Sequence, residues 1–306
     1  MEHLIAQIRD RARPLTPDPT EVEERKHPLP GIRAVLFDIY GTLLVSASGD
    51  IGAARLKARR EAFEEALTES LPIAGDPAAA AGIAEESYFA GIEEVHADRR
   101  SAGLAYPEVD IRDVWRRVLA QLQHAGHLSG SHGADSEAAH LVELLALRYE
   151  LYTNPTWPMP GMVEVLQQLA ASVPLGLVSN AQFFTPLLFP AFTGESLEQL
   201  GFDPELCMYS YLLGEAKPSP SLFEPVISRL SRNYGIAADE VLYVGNDMLN
   251  DIWAAGEAGL KSCLFAGDAR SLRLREDHDS LRATSPTCVV TTLSSIPAML
   301  GIGASQ

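Results

Sequence analysis

Cysteine and positive charge are both scarce in this sequence. The three cysteines, Cys207, Cys263 and Cys288, have no metal-ligand spacing, and their odd number suits a reducing compartment better than a disulfide framework. Lys and Arg number 24 against 41 Asp and Glu, which gives a formal net charge of -17. This charge repels phosphate backbones and anionic lipid surfaces, so neither nucleic acid nor membrane is an expected partner. The expected partner is a small molecule, and an anionic one would need a metal ion or local positive charge in its site.

Long apolar runs and two common enzyme motifs are also missing. The start of the chain, "MEHLIAQIRDRARPL", carries a charge every few residues and offers neither a signal sequence nor a spanning segment, so a cytoplasmic protein is expected. No Gly-x-Gly-x-x-Gly string follows a predicted strand, which leaves a nucleotide cofactor unsupported. No Gly-x-Ser-x-Gly string occurs either, which removes the commonest serine-hydrolase interpretation.

Short β-branched apolar runs predict a sheet. They read "IRAVLFD" (32–38), "VPLGLVSN" (173–180), "CMYSYLL" (207–213), "VLYVGND" (241–247), "KSCLF" (261–265) and "TCVV" (287–290). Runs without polar alternation are typical of strands buried on both faces, as in parallel sheets. Helices are predicted between them, over 219–231 and after Pro160-Gly161, because apolar residues there recur at helical spacing. This alternation predicts a doubly wound α/β fold with a parallel sheet.

The length and spacing of these segments predict the domain organisation. A chain of 306 residues with 46% hydrophobic content is long enough for about two domains. Residues 1–30 mix charge with proline and are predicted to be an arm with at most one short helix. Asp38 and Ser179 are 141 positions apart, far more than the roughly 30 residues of a βαβ unit. We therefore predict a helical insert over 48–155, with residues 31–47 and 156–306 forming the α/β core.

Polar residues end four of the predicted strands or follow them closely. Ligands bind outside the carboxyl ends of strands in such a sheet, so these are the candidate site residues. They are Asp38, Ser179 with Asn180, Lys217 in "GEAKPSPSLF", and Asp247 with Asp251 in "GNDMLND". Taken in this order, the four motifs resemble the haloacid dehalogenase (HAD) superfamily over residues 32 to about 295. The resemblance implies a HAD-like Rossmannoid sheet with an inserted α-helical cap that closes over the strand ends.

The resemblance also implies catalytic roles. Asp38 would be the nucleophile, since a carboxylate is ionised at neutral pH and can form a covalent intermediate. Ser179 would donate its hydroxyl to an anionic oxygen of the substrate, with Asn180 supporting the same loop. Lys217 would neutralise the nucleophile and the developing charge.

A Mg²⁺ ion is the cofactor that the resemblance implies. Asp38 and a backbone carbonyl at Tyr40 would bind it, together with the acidic segment. In that segment Asn246 takes the place where the family has an Asp. The direct ligand is therefore open between Asp247, Asp251 and the amide oxygen of Asn246.

Tyr40 decides between the possible reactions. The superfamily's phosphatases have at this place an Asp that protonates the leaving group, so its absence favours substrates whose leaving group needs no proton. The string "D-x-Y-G-T-L" is similar to the haloacid dehalogenases, which use no metal. The acidic segment favours a metal, because carboxylates near Asp38 repel an anionic substrate unless a cation lies among them. Tyr40 itself is expected to donate a hydrogen bond or to line the pocket.

The function favoured by the sequence is a Mg²⁺-dependent phosphatase that acts on a small phosphorylated metabolite through an aspartyl-phosphate intermediate. The first alternative is a 2-haloacid dehalogenase-like hydrolase that uses the same Asp38 without metal. The second alternative is a catalytically inactive ligand-binding protein of the same fold.

Overall fold

The structure, a computed structural model, describes residues 1–47, 53–128 and 136–303. Its strands are β1 (Ala34–Phe37), β2 (Leu44–Ser46), β3 (Thr156–Pro158), β4 (Leu175–Ser179), β5 (Phe202–Tyr209), β6 (Val241–Gly245), β7 (Lys261–Phe265) and β8 (Cys288–Val290). Its α-helices are α1 (Glu2–Arg11), α2 (Ala53–Thr68), α3 (Pro77–Ser101), α4 (Ile111–His124), α5 (Ser136–Thr153), α6 (Met162–Ala170), α7 (Thr185–Thr193), α8 (Ser210–Leu213), α9 (Glu224–Arg229), α10 (Ala254–Glu257) and α11 (Ser295–Met299). None of the described helices has the length and apolar content of a membrane-spanning segment.

Six parallel strands form the central sheet in the order β5-β4-β1-β6-β7-β8. Each residue of β1 is fully buried, because alternate side chains enter two different cores. Val35 and Phe37 join the core that includes α6 and α7, whereas Ala34 and Leu36 join the core that includes α9. An apolar run without alternation is therefore what this strand requires. The predicted doubly wound α/β fold is confirmed.

Helices α2 to α5 lie between β2 and β3, which pair with each other as a small antiparallel ribbon. They pack on one another, and an apolar stripe along α4, which includes Trp115, is buried. An aromatic cluster of Phe63, Tyr88, Trp115 and Tyr149 fills their shared core. The helical content predicted for the insert is present in its described part. The predicted start of the insert at residue 48 lies outside the described residues, and the domain boundaries stay a prediction.

The N-terminal arm is more regular and more firmly attached than its composition indicated. Helix α1 packs against α5 and α7 through Leu4, Ile5 and Ile8, which are buried. Farther along, Arg25 forms an isolated antiparallel bridge with Val289 at the outer edge of β8. The arm therefore covers the free edge of the sheet, which would otherwise expose unpaired backbone groups.

Two predicted segments are divided in the structure. The stretch 207–213 continues β5 only to Tyr209 and then turns into α8, whose first residue, Ser210, is buried and accepts a hydrogen bond from the backbone of Ala181. The predicted helix over 219–231 is a 3₁₀ turn, then α9, then a π-helical turn. Pro225 lies in the first turn of α9, where its missing N–H prevents one continuous helix.

Candidate active site

The polar residues predicted at the strand ends come together at one edge of the sheet. Strands β4, β1 and β6 are neighbours in its centre, and their carboxyl ends bring Ser179, Asp38 and Asn246 to that edge. The segment after α8 brings Lys217 over the same edge, although 179 positions separate it from Asp38. The parallel arrangement thus brings residues from four separate parts of the chain together.

Asp38 directly follows β1 and is only 7% exposed. Its Oδ1 accepts hydrogen bonds from the Ser179 hydroxyl at 2.9 Å and from the Lys217 ammonium at 2.7 Å. No hydrogen bond from another described residue reaches Oδ2. The side chain is therefore held through Oδ1, while Oδ2 has no hydrogen-bond partner among the described residues.

Lys217 is a buried cation shared by two carboxylates. Its Nζ donates to Asp38 Oδ1, to Asp251 Oδ1 at 2.6 Å and to the hydroxyl of Tyr243 at 2.8 Å. Burial acts to lower the pKa of Lys217, but Asp251 and Asp38 together raise it above its ordinary value. Burial raises the pKa of Asp251 to about 6, even though Lys217 opposes the shift. The ammonium therefore stays charged at neutral pH and fixes both acids.

The acidic segment is bound by protein groups. Asp247 accepts from Arg275 with both oxygens, Nε to Oδ1 at 2.7 Å and Nη2 to Oδ2 at 2.6 Å. Its Oδ1 also accepts from the backbone N–H groups of Leu249 and Asn250. Asp251 Oδ2 accepts from the Asp247 N–H at 2.9 Å. Backbone N–H groups of the segment thus bind the segment's own carboxylates.

Asn246 joins two loops. Its Oδ1 accepts from the Thr42 hydroxyl at 3.1 Å, and its Nδ2 donates to the carbonyl of Ser271 at 2.6 Å. Both ends of the amide are therefore engaged by protein groups. Gly41 lies beside this contact with φ +81°, and a Cβ there would stand 2.5 Å from Asn246 Nδ2. Only glycine fits between the loop after β1 and the Asn246 amide.

This arrangement does not fit a Mg²⁺ site. A Mg²⁺ ion needs carboxylate oxygens that point into a shared space. Instead, both oxygens of Asp247 are paired with Arg275, and both oxygens of Asp251 accept hydrogen bonds. Among these three carboxylates, only Asp38 keeps an oxygen, Oδ2, without a hydrogen bond from a described residue. Within residues 1–47, 53–128 and 136–303, no group of three or more His, Cys, Asp or Glu side chains is arranged to hold a metal ion.

The Tyr40 hydroxyl forms a hydrogen bond with a neighbouring side chain. The hydroxyl lies 2.9 Å from the Thr185 hydroxyl, which is buried at the start of α7. Burial, and after it the charge of Glu150, raise the pKa of Tyr40 well above its ordinary value near 10. A phenol with such a pKa is a poor proton donor to a leaving group. The side chain is instead a link between the loop after β1 and α7.

Three residues that contact the candidate site residues could not be predicted from the sequence. Tyr243 lies inside β6, where an aromatic residue is typical of a buried strand, yet its hydroxyl accepts from Lys217 and donates to the carbonyl of Val178 at 2.7 Å. Thr185 had no signal beyond its position before a helix. Arg275 lies in the charged stretch "RSLRLRED", whose composition alone is typical of a solvated surface, and only the folding of its loop onto "GNDMLND" reveals its partner.

Comparisons with known proteins agree with the fold and the family. A family model described as haloacid dehalogenase-like hydrolase matches residues 32–259. A phosphoglycolate phosphatase of Photorhabdus laumondii is 26% identical over 284 residues, which span 90% of this chain and 94% of the relative. A solved 2-haloacid dehalogenase from Pseudomonas syringae pv. Tomato DC3000 is 22% identical with a TM-score of 0.53 and covers 88% of this chain and 98% of its own. A HAD phosphatase from Thermococcus onnurineus is 18% identical with a TM-score of 0.50, at coverages of 88% and 98%. The two structural matches support the fold.

Proposed function

Because this chain belongs to the haloacid dehalogenase-like hydrolases and is a hydrolase, we propose that Asp38 attacks a small anionic substrate and forms a covalent ester. The observation that carries this proposal is the difference between the two oxygens of Asp38. Oδ1 accepts from Ser179 and Lys217, whereas no described residue hydrogen-bonds Oδ2. A carboxylate attacks without a general base because it is ionised at neutral pH. Oδ2 is the oxygen placed to bond to the substrate.

The best-supported reaction is displacement of a leaving group that departs without a proton. Tyr40 replaces the usual acid, and its raised pKa makes it unsuited to proton donation. Halide is such a leaving group, which favours a short 2-haloacid as substrate. The sequence favoured a metal because the acidic segment needed a cation, but Lys217 and Arg275 supply cations there.

In this reaction Oδ2 of Asp38 bonds to the carbon that bears the halogen, and halide leaves with the electron pair of that bond. Water then attacks the carboxyl carbon of the Asp38 ester. The bond between that carbon and Oδ2 then breaks, and Oδ2 leaves with the product. One proton of the water passes to this departing oxygen and the other to solvent, so the product is a hydroxy acid and Asp38 keeps the oxygen of the water. Lys217 Nζ donates to Oδ1 and stabilises the negative charge that gathers on that oxygen during the second step.

Phosphoryl transfer through an aspartyl-phosphate is the second candidate. It is favoured by the 26% identity to a phosphoglycolate phosphatase over 90% of the chain. The hydrogen-bonded network also contains three carboxylates and two cations, which leaves one negative charge that Mg²⁺ would offset. In that case the acidic segment would have to rearrange, so that Asp247 left Arg275 and joined Asp38 and the backbone carbonyl of Tyr40 in holding the ion.

Product release separates the two candidates. Chloride release from 2-chloropropionate is measured beside phosphate release from acetyl phosphate and 4-nitrophenyl phosphate, each with EDTA and with added Mg²⁺. We expect chloride release that EDTA leaves unchanged. Phosphate release that requires Mg²⁺, with no chloride release, would replace the first candidate by the second.

The nucleophile is tested by isotope transfer. In a single turnover in H₂¹⁸O, ester hydrolysis at the carboxyl carbon places ¹⁸O in Asp38, which mass spectrometry of the peptide detects. Asp38→Asn should fold and have no turnover. Asp279→Asn, which changes a carboxylate that is 84% exposed, is the matched control and should behave as wild type. An active Asp38→Asn protein would remove the nucleophile assignment.

A further inference from the structure

Arg275 makes a two-pronged contact with the acidic segment. Its Nε and Nη2 donate to the two oxygens of Asp247 at 2.7 and 2.6 Å. This parallel geometry is the strongest that a guanidinium forms with a carboxylate, and a lysine cannot reproduce it. The Asp247 side chain is only 10% exposed, whereas that of Arg275 is 37% exposed. The pair therefore joins a loop at the surface to the interior of the site.

The loop that carries Arg275 is fixed to the same segment through its backbone. The Met248 N–H donates to the carbonyl of Arg273 at 2.8 Å, and the Arg273 N–H donates to the carbonyl of Asn246 at 3.0 Å. Arg275 has φ +50°, and it is the one non-glycine residue in the described part of the chain with a positive φ. That conformation is unfavourable for a residue with a Cβ. This unfavourable backbone conformation occurs at the residue whose guanidinium binds Asp247.

A continuous series of contacts leads from Arg275 to the nucleophile. Asp247, held by Arg275, donates its N–H to Asp251 Oδ2 at 2.9 Å. Asp251 Oδ1 accepts from Lys217 Nζ at 2.6 Å, and the same Nζ donates to Asp38 at 2.7 Å. Asp247 Oδ1 also accepts from two backbone N–H groups of the turn that follows, so moving its side chain would disturb this turn and the N–H that fixes Asp251. The place of Lys217 over Asp38 therefore depends on Asp247 keeping its conformation.

We propose that Arg275 is a positioning residue for the reaction at Asp38 and that its guanidinium takes the place of a divalent cation at Asp247. The first part rests on the proposed function, because it concerns turnover. The second part does not, because it concerns the availability of the Asp247 carboxylate. Arg275 reaches Asp38 only through three other residues, so its effect is on the geometry of the site.

The kinetic test compares Arg275→Ala, Arg275→Lys and Arg282→Ala. Arg282 is the matched control, because it lies in the same part of the chain and forms an ion pair with Asp279 that is more than four-fifths exposed. We expect Arg275→Ala to lower kcat about 10- to 100-fold, as is typical when the outer support of a site is lost, with little change in KM. Arg275→Lys should recover part of kcat, and Arg282→Ala should match wild type. Wild-type kcat in Arg275→Ala would overturn the positioning role.

Calorimetry with Mg²⁺ alone tests the second part without any substrate. We expect no binding to the wild-type protein at millimolar Mg²⁺, binding to Arg275→Ala, and loss of that binding in the Arg275→Ala/Asp247→Asn double variant. Equal binding by wild type and Arg275→Ala would overturn the assignment. Arg275→Lys, which keeps a positive charge beside Asp247, should stay without binding. Thermal unfolding of each variant beside Arg282→Ala identifies any variant that fails to fold, in which case Arg275→Lys carries the kinetic comparison.

Discussion

The amide of Asn180 forms a reciprocal pair of hydrogen bonds with the backbone of Lys217. Asn180 Oδ1 accepts from the Lys217 N–H at 2.7 Å, and Asn180 Nδ2 donates to the Lys217 carbonyl at 3.2 Å. The residue after Ser179 thus fixes the backbone that carries the buried ammonium. The position of Lys217 is set by its main chain as well as by the two carboxylates that it contacts.

Replacing Lys217 by Met should destabilise the protein strongly. Asp38 and Asp251 would stay buried without their cation, and breaking such a pair costs about 3–5 kcal/mol. Turnover should also be lost, because Oδ1 of Asp38 loses its charged donor. Urea unfolding measures the first effect and product release the second. Lys261→Met, at an exposed position, should change the free energy of unfolding by less than about 0.5 kcal/mol. A Lys217→Met protein as stable as the control would contradict the role of the ion pairs.

Tyr40→Phe should keep most of the activity. The substitution removes one hydrogen bond to Thr185, worth about 1 kcal/mol, and leaves the ring in place. We expect kcat to change by less than about tenfold, since the raised pKa of Tyr40 makes the phenol unsuited to proton donation. Thr185→Val removes the same hydrogen bond and also the one that Thr185 accepts from the Gln182 N–H, so it should lose at least as much. A loss in Tyr40→Phe alone, far above that in Thr185→Val, would mean that the phenol acts in the chemistry.

Gly41→Ala should be far more harmful than Gly31→Ala. Both glycines have a positive φ, +81° and +88°, so both substitutions carry the same backbone cost of about 1 kcal/mol. Only at Gly41 does the new Cβ meet Asn246 and Ser271, at 2.5 and 2.6 Å, while the space beside Gly31 is open. The loop after Asp38 would have to move, which should lower both stability and kcat. Equal losses of unfolding free energy in the two variants would show that the close approach at Gly41 is unimportant.

The attachment of helix α1 is tested by Ile8→Ala. Ile8 is fully buried, and truncating a buried isoleucine typically costs about 2–5 kcal/mol. Arg11→Ala removes a contact of the same helix with Glu69 whose side chains are 26% and 31% exposed, and such pairs contribute about 0–1 kcal/mol. Denaturant unfolding should rank the two variants accordingly. A loss in Arg11→Ala as large as that in Ile8→Ala would mean that charge rather than apolar burial holds the arm.

Glu24 should give the arm a pH-dependent anchor. Its hydrogen bond with Lys26, and after it the one from the Thr291 N–H, lower the pKa of Glu24 to about 2. A carboxylate with a lowered folded pKa stabilises the native state above its unfolded pKa of about 4.5, and this stabilisation is lost as pH falls toward 2. The difference in unfolding free energy between wild type and Glu24→Gln should therefore shrink between about pH 5 and pH 3. A difference that is constant with pH would mean that the Glu24 charge contributes nothing.

The sheet, the order of the motifs and the family could be predicted from the sequence alone. Strands buried on both faces need unbroken apolar runs, and such runs are local features that can be read directly, as at 34–37 and 241–245. Parallel strands end at a common edge, so the polar residues at the ends of those runs, Asp38, Ser179 and Asn246, were expected at that edge. The length of chain between Asp38 and Ser179 likewise required an insert, whatever its structure.

Which partner each polar side chain contacts depends on the tertiary structure. Asp247, one of three candidate metal ligands in the sequence, binds Arg275, because the loop after β7 folds back onto the segment after β6. Tyr243 is a partner of Lys217 because the fold brings strand β6 and the segment after α8 to within hydrogen-bond distance. Helix α1 is ordered because its apolar stripe meets α5 and α7, which local composition cannot foresee. Hydrogen bonds and ion pairs depend on distances of about 3 Å between residues far apart in the chain, and only the folded chain fixes those distances.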